Sequence, residues 1–122
     1  MSAGVASVDI TPDYAVRLSG FGFRREESEG VRQHIHAKAL ALAGQGEAPA
    51  VLITVDNLGI PDTMTKEIAQ RLAKKASIDP TCLSISASHT HTAPMLTNVC
   101  PTLSAFPFPL STRRTSIATR RS

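Results

Sequence analysis

Two histidines one residue apart, His89 and His91, stand directly after an alternating run of small and apolar residues, Thr81 to Ser88. Held extended, residues at i and i+2 point the same way with α-carbons roughly 6 to 7 Å apart. Both imidazoles can then converge on one cation, or one can bind it while the other handles a proton. Neutral imidazole is a ready zinc ligand, and a catalytic zinc keeps one position open for water whose pKa it lowers. Hydroxyls at Ser86, Ser88, Thr90 and Thr92 make the setting polar. A pair of surface or hydrogen-bonded histidines at a strand end is the plainer account of the same residues. His34 and His36 repeat the spacing but precede a strand, which places them at the opposite end of a parallel element and reads as structural or surface. Asp56 follows the β-branched run Val51 to Val55, where it is either a carboxylate that orients an imidazole or a turn residue leading into a helix. Asp9, before Ile10-Thr11-Pro12, reads as a turn or cap group.

The elements that must position these groups can be read from periodicity and punctuation. A first strand is expected over Ala3 to Ile10, closed by Pro12, which has no ladder donor. Ser19 to Gly30 is glycine-rich and polar, a turn-rich loop of the kind that carries function when a rigid scaffold holds it. Ala37 to Ala43 is nearly continuous apolar sequence ended by Gly44-Gln45-Gly46, and Val51 to Val55 reads as a strand buried on both faces. Pro61-Asp62 opens a helix that Asp62 can cap. Met64, Ile68, Leu72 and Ala76 form its apolar stripe, Glu67 supports Arg71 four residues on, and Asp79-Pro80 ends it. In Thr81 to Ser88, Leu83, Ile85 and Ala87 share one face while Cys82, Ser84, Ser86 and Ser88 share the other. Strand, helix and strand over residues 51 to 88 make a βαβ unit with a parallel pair and a right-handed crossover. Active groups in such sheets gather beyond the carboxyl ends of the strands, where Asp56 and His89 fall.

Bulk properties narrow the classes. The 122 residues fit one small domain or a piece of a larger one, with five aromatics to fill a core. Of the 13 Lys and Arg, four lie in residues 104 to 122, which hold no acid; the remaining nine against ten acids net −1. The charge of +3 therefore belongs to the tail, and the body carries no footprint for nucleic acid. Cys82 and Cys100 form no CxxC and are read as free thiols. No apolar run approaches the roughly 18 residues of a membrane span, and Met-Ser-Ala-Gly-Val is not a secretory leader, so the chain as written is expected to be cytoplasmic.

Taken in order, Gly4 to Pro12, Ser19-Gly20-Phe21-Gly22, His36 to Leu42, Val55-Asp56 and Ser86-Ala87-Ser88-His89-Thr90-His91-Thr92-Ala93-Pro94 resemble the opening of neutral/alkaline non-lysosomal ceramidases and their bacterial relatives. The resemblance covers residues 3 to about 103, and the stretch around His89 is its most specific part. It implies a zinc-dependent amidase that cleaves the N-acyl bond of ceramide, giving sphingosine and a fatty acid. It implies that His89 is a Zn2+ ligand and that His91 lies in the active site, and that intact relatives are often secreted or periplasmic. Thr92-Ala93 stands where the family commonly shows Ser-Gly, which leaves metal binding intact and bears on the substrate. The remaining ligands implied by the family, a histidine, a glutamate and a tyrosine, belong to sequence further downstream, so no appreciable turnover is expected from this chain alone.

The expected fold class is α/β: a partial mixed or parallel sheet with a βαβ unit, the incomplete N-terminal part of a larger catalytic domain spanning residues 1–103. Residues 104–122 are rich in Ser, Thr, Arg and Pro and read as a disordered tail. Out-of-frame translation accounts for the break: suitable synonymous codons read one nucleotide earlier over Ser104 to Arg120 give a proline-ended loop and a helix start. Two rival readings remain. Another metallohydrolase with two histidines after a strand would need repeated βα units and further ligands. A non-catalytic α/β binding module would depend on its basic tail for an acidic partner.

Overall fold

The structure is a computed structural model and describes residues 1–100. Runs rich in small and aliphatic residues occur in four places, and each becomes a strand: β1 (Ser2–Asp9), β2 (His36–Ala43), β3 (Ala50–Val55) and β4 (Leu83–Ala87). They form one sheet in the order β1-β2-β3-β4. The first two pairings are antiparallel and the last is parallel. The sheet is thus mixed, with the βαβ unit at its β3–β4 end.

The antiparallel turn between β2 and β3 corrects one expectation. His36 opens β2 beside the end of β3, because Ala37 pairs with Val55. The second histidine pair therefore lies at the same end of the sheet as Asp56 and His89, not at the opposite end. Antiparallel pairing reverses the start of a strand relative to its neighbour, and periodicity within one strand carries no information about that direction.

Register sorts the side chains into two faces. Val51, Ile53 and Val55 stand beside Leu83, Ile85 and Ala87, and all six are buried or half-buried. Leu52, Thr54, Ser84 and Ser86 alternate with them and are exposed. The first set marks the less exposed face of the sheet. Leu52 is 41% exposed, so among the described residues β3 is covered on one face rather than on both.

The crossover is α1 (Asp62–Ala76). Pro61, with φ −68, presets the dihedral of a helix start, and Met64 and Thr65 both donate main-chain N–H groups to its carbonyl. Asp62 makes no capping bond; it pairs with Lys66 one turn on, while its charge still suits the positive helix start. Glu67 pairs with Arg71 as the spacing predicts. Met64, Ile68 and Leu72 are half-buried, and Ala76 is exposed. The helix stops before Asp79-Pro80: Ser77 turns left-handed at φ 53 and returns its N–H to the Leu72 carbonyl. A single 3-10 turn follows at Pro80–Cys82, with Asp79 accepting from the Thr81 N–H. Cys82 therefore precedes β4 instead of lying in it. Cys82 is a free thiol. The expected disordered tail falls on residues outside the described part of the chain.

Candidate functional site

Three loops meet at the carboxyl ends of β3 and β4. The first is Arg17 to Arg24, between β1 and β2; the second is Asp56 to Pro61, leading into α1; the third is Ser88 to Leu96, beyond β4. Main-chain bonds tie them. Ser88 N–H donates to the Val55 carbonyl at 3.0 Å, continuing the parallel ladder past β4. Ser19 N–H donates to the Ala93 carbonyl at 3.0 Å and Met95 N–H to Arg17 at 2.8 Å, around a bridge between Leu18 and Pro94. Ser19 is only 2% exposed and adds a hydroxyl bond to the same Ala93 carbonyl.

His89 and His91 come together, though not along extended backbone. His89 sits in the left-handed region at φ 60, so the regular alternation of β4 breaks there. The loop nevertheless brings the two rings edge to face with centroids 5.3 Å apart. His89 Nδ1 lies 2.9 Å from the Leu58 carbonyl. A carbonyl only accepts, so Nδ1 carries the proton and the lone pair of the neutral ring resides on Nε2. Metal-binding histidines are oriented in this way, by donating their other ring N–H to a carbonyl or carboxylate.

The accepting carbonyl belongs to Leu58, a buried residue of the second loop. Leu58 N–H donates to the side-chain oxygen of Asn57 at 2.7 Å, and the Asn57 amide donates to the Pro94 carbonyl at 3.1 Å. Asn57 is 5% exposed and joins the second loop to the third. Neither Asn57 nor the Leu58 carbonyl was singled out by the sequence reading; a polar amide directly after a strand's carboxyl end was the available signal.

His91 is half-buried against the first loop. Gly20 adopts φ +102, and a Cβ there would come within 2.4 Å of the His91 ring. The Phe21 ring meets the imidazole edge-on at 4.8 Å and stacks on Phe23 at 5.6 Å. The Arg24 guanidinium donates to the His91 carbonyl at 2.7 Å and lies 5.0 Å over the Phe21 ring.

Asp56 lies at the same rim, but its carboxylate accepts the main-chain N–H of His36 at 3.0 Å, while its own N–H donates to the His36 carbonyl at 2.9 Å. The reciprocal bonds fasten the start of β2 to the end of β3, and both run to the main chain of His36 rather than to an imidazole. Asp9 does serve its turn, accepting from Thr11 N–H at 2.8 Å, and also pairs with His34. Hydrogen bonds from Thr11, then that from His34, hold the Asp9 carboxyl well below the ordinary carboxylate range.

Among the described residues, no group of three or more His, Cys, Asp or Glu is placed to hold a metal ion. Beside the histidines, Gly20, Phe21, Leu58, Met95 and Leu96 close round a cavity of about 10 Å³, space for one water and far less than a lipid requires.

Residues 1–118 match the neutral/alkaline non-lysosomal ceramidase family, N-terminal. The chain belongs to this family. The ceramidase match continues beyond Leu103, where the composition changes. No curated protein matches the chain. Membership places this ceramidase-like segment among hydrolases of sphingolipid metabolism, with a lipid amide as the kind of substrate. Among the described residues, no helix is long and apolar enough to cross a membrane.

Proposed function

We propose that this chain supplies the first part of the zinc site of a ceramidase-type amide hydrolase, which splits an N-acylsphingosine into sphingosine and a fatty acid. The observation that supports this most directly is the Nδ1–H bond from His89 to the Leu58 carbonyl, which leaves Nε2 as the free lone pair next to the His91 ring. His89 is the ligand. His91, packed against the glycine-rich loop, holds or passes a proton. Asp56 acts at one remove by fastening the rim of the sheet on which both loops stand. Bound zinc supplies Lewis acidity toward an amide carbonyl and toward water. One imidazole with a neighbour is a weak site, so the remaining ligands must come from outside these residues and the chain alone turns over no ceramide.

Zinc titration of the full chain at fixed pH, followed calorimetrically, tests the reading. Wild type is expected to bind weakly, and His89→Ala to lose about tenfold or more in affinity, on the scale of lost metal-site contacts. Equal binding by both proteins would remove His89 from the site. Measurable ceramide hydrolysis by the purified chain would overturn the claim that it is incomplete.

A further inference from the structure

We infer that Arg24 is a positioning residue for His91, an inference that rests on the proposed active-site role of that imidazole. The two loops are already joined without Arg24, by the Ser19–Ala93 and Arg17–Met95 main-chain bonds and the Leu18–Pro94 bridge. What the guanidinium adds falls on His91 itself. It donates a charge-assisted bond of 2.7 Å to the His91 carbonyl and reaches toward the Ser19 carbonyl at 3.5 Å. The same planar cation lies over Phe21, whose ring contacts the imidazole edge-on. One side chain thus holds both the backbone of His91 and the aromatic wall that limits its ring. Gly20 forms the other wall, since any Cβ there would occupy the space of the imidazole. Arg24 is held in turn, because its carbonyl accepts from the Arg17 side chain at 3.1 Å. Backbone and both ring walls thus restrict the His91 ring where it meets His89.

The test is read without metal. In the isotopically labelled full chain, the nuclear Overhauser contact between the His91 and Phe21 rings is expected to be present in wild type and to lose most of its intensity in Arg24→Ala. Amide shifts of β2 and β3 and the melting transition are expected to stay in place. Arg24→Lys keeps a cation that can donate but loses the planar fork, and is expected to restore part of the contact, a rescue that simple loop closure does not predict. Undiminished His91–Phe21 contact in a folded Arg24→Ala chain overturns the inference. If the alanine variant unfolds, Arg24→Gln is read in the same way, and unchanged His91 ring signals there overturn it equally. Zinc added afterwards separates the two ideas: ring signals that ignore zinc in wild type sink the metal reading, while the contact measured beforehand still decides the role of Arg24.

Discussion

At the scale of single residues, the site is built from side chains whose hydrogen bonds leave little freedom. The proton on His89 Nδ1 is fixed by a carbonyl from a loop 31 residues away in sequence. Ser19 offers a graded check. Its hydroxyl bond to Ala93 duplicates the main-chain bond to the same oxygen, so Ser19→Ala leaves no orphaned acceptor and is expected to cost at most about 1 kcal/mol in chemical unfolding. The carboxylates carry a pH prediction. Asp9 is depressed chiefly by hydrogen bonds from Thr11 and also by His34, and Asp79 by hydrogen bonds from Thr81. A carboxyl whose folded pKa lies below its unfolded value stabilises the fold above that value and loses the contribution as pH falls through it. The melting temperature is therefore expected to decline as pH drops below the ordinary value of 3.8, and Asp9→Asn to flatten that decline. Both groups are exposed, so the slope is also expected to be modest.

At the scale of elements, ends matter more than middles. The helix α1 closes on Ser77 in the left-handed region, where a Cβ is unfavourable. Ser77→Gly is expected to stabilise the chain by about 0.5 kcal/mol, measured by urea unfolding. The clasp between Asp56 and His36 does the corresponding work for the sheet. Asp56→Ala leaves the His36 N–H without its acceptor and is expected to cost about 1 to 2 kcal/mol. Amide exchange should quicken first at the starts of β2 and at the β3 terminus; unchanged exchange there would show that the clasp holds nothing. His91 illustrates the same point, since its surroundings come from a loop between β1 and β2 and not from the strand that precedes it.

At the scale of the whole molecule, one face of the sheet lacks a covering layer among the described residues. Val5 is 84% exposed and Leu52 41%, and a shallow hollow of about 430 Å³ runs across Val5, Ser7, Lys38, Leu40, Leu52 and Thr54. β1 is an edge strand exposed along its full length, with no proline or lysine to guard it. A contiguous apolar surface of this kind drives association in water. Light scattering of the full chain is expected to show concentration-dependent association that Val5→Thr with Leu52→Thr reduces. A monomer at all concentrations would show that this face does not drive association.

The strands, the helix and the nearness of the two imidazoles at His89 and His91 were legible because they depend on local order: alternation, β-branching, a proline before a helix and two histidines after a strand. The family resemblance was legible for the same reason, as a series of short collinear motifs. Direction and long-range contact were not. Whether β2 ran with or against β3 decided at which end His34 and His36 lie, and no periodicity within a strand encodes that. Left-handed His89, the proton fixed by Leu58, and the arginine behind His91 each need residues far apart in the chain to meet. Only the tertiary structure decided them, because a hydrogen bond is set by distance in space and the sequence specifies only distance along the chain.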